Sequence, residues 1–136
     1  MKVVLDTNVL VSGVFFSGPP YRILSAWRDG VVQLIASPAV AEEYRRVGER
    51  LAAKFSGISL DPMLGLVATH ALVVPDRALA RPVCDDPDDD KFLACALAGR
   101  CRIVVSGDKA LLRVSGYRRI EVLTPRQFVD TYLEAR

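Results

Sequence analysis

Acidic side chains sit where two apolar strands end, and others crowd between them in sequence. Met1-Lys2-Val3-Val4-Leu5 leads into Asp6-Thr7-Asn8, and Arg102-Ile103-Val104-Val105 leads into Ser106-Gly107-Asp108. Between them lie Glu43, in a helical stretch, and the run Asp85-Asp86-Pro87-Asp88-Asp89-Asp90 ahead of an apolar helix. In a parallel α/β sheet, strand ends and the N-termini of the following helices share one edge, where ligands bind. Carboxylates from four stretches would meet there. Two unit charges 4 Å apart repel by roughly 4 kcal/mol at an effective dielectric of 20, so such a cluster calls for a cation. Hard oxygen donors select Mg²⁺ or Mn²⁺, and those ions serve phosphodiester chemistry.

The elements that must position these groups alternate, which predicts an α/β fold with a mainly parallel sheet. Residues 2–6 read as the first strand. Ser17-Gly18-Pro19-Pro20 is a loop whose last proline opens a helix over about 21–28, and Gly30 ends it. Residues 31–35 form a second apolar strand. Ser37-Pro38, an N-cap followed by proline, opens a helix to about Ala53, and Asp61-Pro62 repeats the signature for a helix to about Ala71. Leu72-Val73-Val74 is a short extended segment. A helix over 88–98 is stopped by Gly99. Its residues Phe92 to Ala98 are consecutively apolar, the pattern of a buried helix. Residues 103–105 form a central strand, 108–112 a short helix and 120–123 a last strand. Thr124-Pro125-Arg126-Gln127 is a capping box for a C-terminal helix.

Each acid has a plain structural explanation when taken singly. Asp ends strands and builds turns, Glu is a good helix former, and Asp108 could cap a helix. Acids at a helix N-terminus gain roughly 0.3–1 kcal/mol each from the helix dipole. That accounts for one or two residues of the 85–90 run, not for five acids in six positions, whose repulsion offsets the gain. Four acidic positions in this order on these elements form a joint pattern.

At 136 residues the chain reads as a single domain, 1–136, able to bury a core without staples. Its apolar share of 51%, charged share of 25% and net charge of +2 are those of an ordinary globular protein. Overall charge therefore names no partner, but its distribution does. Between Lys109 and Arg126 lie five basic residues, Lys109, Arg113, Arg118, Arg119 and Arg126, against Glu121 alone. A basic surface beside an acidic pocket suits a polyanion. Cys84, Cys95 and Cys101 are odd in number and lack C-x-x-C spacing, which reads as packing cysteines in a reduced, cytoplasmic chain. No signal peptide is expected, since Met1-Lys2 leads straight into a strand, and no uncharged stretch is long enough to span a bilayer.

The chain resembles the PIN domain family, most closely the VapC-like toxins of toxin–antitoxin systems. The strand followed by Asp6-Thr7-Asn8 is similar to the family's opening motif. Ser37-Pro38-Ala39-Val40-Ala41-Glu42-Glu43-Tyr44 resembles the second, with Glu43 as its acid. The run from Asp85 to Ala94 resembles the third, with Asp90 as its acid and Asp86 the favoured additional one. Val104-Val105-Ser106-Gly107-Asp108-Lys109 resembles the fourth, with Asp108 as its acid. The resemblance implies a compact three-layer α/β/α fold of the RNase H-like group. It also implies a metal-dependent endoribonuclease with Asp6, Glu43, Asp90 and Asp108 as catalytic residues. Asp6, Asp90 and Asp108 would hold Mg²⁺ or Mn²⁺, and Glu43 would serve as ligand or water-orienting base. Thr7, Asn8 and Ser106 would orient the carboxylates, while Lys109, Arg113 and Arg118 would meet the RNA. The expected partners are an RNA substrate, a cognate antitoxin and further copies of the chain in a homodimer or higher oligomer. The nearly uncharged stretch 62–75 also points to an interface.

Other chemistries fit less well. A single histidine, His70, excludes a two-histidine ribonuclease and argues against a Ser-His-Asp triad. No G-x-x-x-x-G-K-[ST] loop is present. Asn8 stands where an Asp-x-Asp phosphatase motif would need an acid. A phospho-accepting regulator would carry its Asp on a middle strand, not the first. The remaining alternative is a PIN-like module that holds RNA or protein without cleaving it.

Overall fold

The computed structural model describes residues 1–134; Ala135 and Arg136, at the end of the expected domain, lie outside the described residues. Five strands run parallel in one sheet: β1 (Lys2–Leu5), β2 (Gln33–Ala36), β3 (Leu72–Val73), β4 (Ile103–Val105) and β5 (Glu121–Leu123). Their order across the sheet is β3-β2-β1-β4-β5. The chain therefore steps outward from β1 in one direction through β2 and β3, then returns to β4 and β5 on the other side. Right-handed crossovers that reverse direction place their helices on opposite faces of a sheet, so β1 and β4 flank the point where the topology switches. A crevice at the carboxyl ends of these two strands follows from that geometry. The sheet is flanked by α1 (Thr7–Phe15), α2 (Pro19–Arg28), α3 (Pro38–Lys54), α4 (Asp61–His70), α5 (Asp90–Ala98), α6 (Lys109–Arg113) and α7 (Pro125–Phe128).

The two central strands are apolar because both faces are covered. Val3, Val4, Leu5, Val104 and Val105 are all buried, and Leu10, Ile23, Tyr44, Phe92, Leu93, Leu111 and Phe128 pack around them. Cys84, Cys95 and Cys101 are buried free thiols, as packing cysteines should be. Among the described residues no helix is long and apolar enough to cross a membrane.

Most element boundaries lie within a few residues of those read from the sequence, and the capping box at Thr124 is formed from both sides. Three differences have physical causes. Residues 7–15, unassigned from the sequence, form α1, started by the Asp6 side chain accepting from the Asn8 N–H. The short segment at 72 and 73 is an edge strand, paired with β2 only through Ile35–Leu72 and Ala36–Val73. Gly99 ends α5, but the left-handed residue there is Arg100, at φ 51°. Gly99 is small for another reason: a Cβ on it would lie 2.7 Å from the Ile35 Cγ2.

Candidate active site

Asp6 ends β1 and begins α1, so a single residue is both strand terminus and helix cap. Its N–H donates to the Val105 carbonyl at 3.0 Å, which stitches the end of β1 to the end of β4. Its carboxylate is buried, only 7% exposed. It accepts from the Asn8 N–H at 3.1 Å and from the Ser106 hydroxyl. Ser106 in turn accepts from the Asp108 N–H at 2.9 Å. One hydroxyl thus joins the two strand-end acids across the switch point. Ser106 is fully buried.

Glu43 comes from α3. Tyr44, the next residue, is fully buried and donates its hydroxyl to the Leu5 carbonyl at 2.5 Å, which ties α3 to the end of β1. Glu43 is thereby carried over the edge. The Thr7 hydroxyl donates to one of its oxygens. The Lys91 ammonium donates to the other at 2.8 Å and also reaches Asp88 at 3.1 Å. The Lys91 and Glu43 side chains are only 12% and 17% exposed, so this ion pair is screened far less than a surface one. Burial draws the Lys91 pKa down, but its bonds to Glu43 and Asp88 outweigh that and leave it raised. The carboxylate that Thr7 bonds is that of Glu43.

The acids of the 85–90 run go to different places. Asp85 is exposed and pairs with Arg113 at 2.8 Å. Asp86 accepts from the Asp88 N–H at 2.9 Å and caps the single 3₁₀ turn over 87–89. Asp88 meets Lys91. Asp89 comes close enough to Asp108 to feel its charge. Asp90 accepts from the N–H groups of Val83 at 3.1 Å and Cys84 at 2.8 Å, holding the preceding loop against the start of α5.

This placement differs from the expected register. Asp90 was expected beside Asp6 and Asp108, with Asp86 as the additional acid. Instead Asp90 is turned into the 83–84 loop, Asp86 caps a turn, and Asp89 faces Asp108. A 3₁₀ turn has three residues per turn, so neighbouring side chains diverge by about 120° and a one-residue error swaps the loop-facing acid for the edge-facing one. Asp89, Lys91 and Tyr44 were the residues missed. Tyr44 carries a signal, since it lies four residues after the buried Val40 on one helix face. Lys91 also does, as a lone cation directly after five acids.

Electrostatics mark the same group. Burial pushes Asp89 up to about 7, and its closeness to Asp108 and the charges of Asp108, Asp86 and Asp6 add to that. Asp6 is raised as well, chiefly by burial, against the opposing hydrogen bonds from Ser106 and Asn8. Among the described residues no three His, Cys, Asp or Glu side chains converge tightly enough to hold an ion as they stand. The donor chemistry nevertheless fits a hard divalent cation. Asp6, Asp89 and Asp108 supply carboxylate oxygens alone, and burial makes two of them, Asp6 and Asp89, resist ionisation.

Basic groups border the edge. Arg77 and Arg81 line a cleft of about 520 Å³ together with Asp90 and Lys91. Lys109 and Arg113 lie on α6, directly after Asp108. Arg118 does not join them. It sits in the turn that enters β5, at the opposite end of the sheet.

A family model described as PIN domain matches residues 2–110, a span that holds Asp6, Glu43, the acidic run and Asp108. A search of curated proteins finds no match.

The raised acids set a pH dependence. Asp89 binds its proton more tightly folded than unfolded, so its contribution to stability is full below the ordinary value of 3.8 and is lost as pH rises through about 7. In EDTA the melting temperature should fall across that window, and Asp89→Asn should flatten the fall. A pH-independent parent would remove Asp89 from the cluster. Asp90→Asn should behave differently. An amide has one oxygen for two N–H donors, so one of the Val83 and Cys84 groups loses its partner. The expected loss is about 1–2 kcal/mol of metal-free stability, read by thermal or urea unfolding, whereas Asp6→Asn holds or gains stability by relieving repulsion.

Proposed function

This chain belongs to the PIN domain family, and from that premise we propose that it is a Mg²⁺- or Mn²⁺-dependent endoribonuclease, the toxin of a toxin–antitoxin pair. The observation that carries the nuclease reading is the gathering of Asp6, Asp89 and Asp108 at the switch point between β1 and β4. Ligands bind at such a point, and a buried Asp6 with half-buried Asp89 and exposed Asp108 around it gathers negative charge that a cation would offset.

The chain's own residues have distinct parts in this reading. Asp6, Asp89 and Asp108 would hold the ion, with Ser106 bonding the Asp6 carboxylate and the Asp108 backbone N–H. The ion supplies positive charge to phosphoryl oxygens and a more acidic water. Glu43, held by Thr7 and Lys91, presents a carboxylate with a defined orientation. Its role is to orient that water or take its proton. Lys91 holds Glu43 in place and offsets the negative edge that a polyanion must approach. Arg77, Arg81 and Lys109 are placed to meet phosphates on either side.

Assembly belongs to the same reading. Leu66, Leu72 and Val73 are exposed apolar residues on α4 and β3, and β3 is an open sheet edge. Unpaired apolar edges tend to pair with another chain. A second copy meeting this edge makes the homodimer, which leaves the acidic edge of each copy for RNA or an antitoxin segment.

Cleavage of single-stranded RNA should require Mn²⁺ or Mg²⁺ and vanish in EDTA. Asp6→Asn, Asp89→Asn and Asp108→Asn should each lose about 100-fold or more in rate, and Asp85→Asn should lose little. Full activity in the Asp89 variant would overturn this ligand set, and metal-independent cleavage would overturn the mechanism. Light scattering at micromolar concentration should report a dimer or larger species that Val73→Lys converts to monomer; a monomeric parent would sink the assembly reading.

A further inference from the structure

A second charged surface lies at the far end of the sheet, and the site described above makes no use of it. All strands are parallel, so the residues that enter them share the edge opposite Asp6 and Asp108. Lys2 enters β1, Arg100 and Arg102 enter β4, and Arg118 and Arg119 enter β5. These strands are adjacent, in the order β1-β4-β5. Neighbouring strands are about 4.8 Å apart, so the basic groups line a strip roughly 10 Å wide. Arg100, Arg102, Arg118 and Arg119 are exposed, and none makes an ion pair with a described residue. The nearby acid, Glu121, accepts from the Tyr132 hydroxyl at 2.5 Å. Lys2 donates to the Gly99 carbonyl at 2.9 Å and holds the Arg100 turn against β1.

The backbone adds an independent observation. Among the described residues three non-glycine residues have a left-handed φ, and all three are arginines of this strip: Arg100 at 51°, Arg118 at 47° and Arg119 at 66°. Arg100 takes the left-handed position of a helix C-terminus, with Arg100 N–H to Leu97 O at 3.1 Å and Cys101 N–H to Ala96 O at 2.8 Å. Glycine or asparagine is the unstrained choice there. Gly116, one turn before β5, does adopt such a φ as glycine. Backbone strain of this kind, gathered on one surface, points to a functional reading.

We propose that this strip is a second RNA-binding surface, a phosphate-backbone track remote from the acidic edge. The proposal rests on the ribonuclease reading for its choice of polyanion. The strands between the two edges are only three or four residues long, about 10–13 Å, so one RNA chain can touch both. Of the exposed large apolar side chains only Met1 adjoins these turns, too little to seat in a bilayer interface. The strip thus recruits the negatively charged chain that the acidic edge alone would repel.

The test is direct binding of a fluorescent uridine RNA of about 30 nucleotides in EDTA, where no cleavage is needed, across a salt series. The variant is Arg100→Gly/Arg118→Gly/Arg119→Gly. Its affinity should fall at least about tenfold, and the slope of log K against log salt should shrink by about 2, the value for three lost contacts to a single strand. Its melting temperature should hold or rise, because glycine relieves the strain. The matching Arg→Lys triple variant should keep the salt slope. An unchanged slope and affinity in the glycine variant, a parent that binds anionic phospholipid vesicles but not RNA, or a glycine variant that melts well below the parent would each overturn the proposal. A parent that binds with the expected slope yet never cleaves with Mn²⁺ overturns the nuclease reading alone, and leaves the strip assigned.

Discussion

A carboxylate buried at the seam of two central strands is the constraint on which this fold turns. Asp6 has little water around it, so its charge must be met by hydrogen bonds or by a cation. The Ser106 hydroxyl and the Asn8 N–H meet part of that need. Both donors exist only if β1 and β4 are neighbours and α1 begins at residue 7. Strand order, helix start and site geometry are therefore one arrangement. Burial holds the Asp6 pKa raised despite two hydrogen bonds.

The acidic run illustrates how one stretch of like residues is divided by geometry. Repulsion among five acids is tolerable only if they point apart or find partners. Arg113, the Asp88 N–H, Lys91 and the Val83 and Cys84 N–H groups take four of them. Asp89 alone is sent to another acid, Asp108. That unfavourable contact is the informative one, because every other member of the run has an ordinary stabilising partner.

Lys91 balances the opposite wall. Its ammonium and the Thr7 hydroxyl hold Glu43 from two sides, and Tyr44 anchors the same helix to β1. The site thus has a repulsive half, Asp6 with Asp89 and Asp108, and a compensated half around Glu43. A cation would complete the first half. The second is already held by the Thr7, Lys91 and Tyr44 contacts.

Much of this was legible in the chain itself. Apolar runs of three to five residues ending in Asp6 and Ser106-Gly107-Asp108 specify strands that carry acids at one end, because strand direction and side-chain period are local properties. Proline and N-cap signals at Ser37-Pro38, Asp61-Pro62 and Thr124-Pro125 placed helix starts for the same reason. The order and type of the motifs sufficed for the family resemblance that the match over residues 2–110 bears out. Only the tertiary structure decided which acid of the run faces Asp108, since a one-residue rotation at a 3₁₀ turn leaves composition and periodicity unchanged. It also decided the Lys91–Glu43 pair, whose members are 48 residues apart in sequence. Strand adjacency separated Arg118 from Lys109 and gathered it with Arg100 and Arg102 at the other edge. Distances across a sheet depend on strand order, and no local pattern in the chain encodes that order residue by residue.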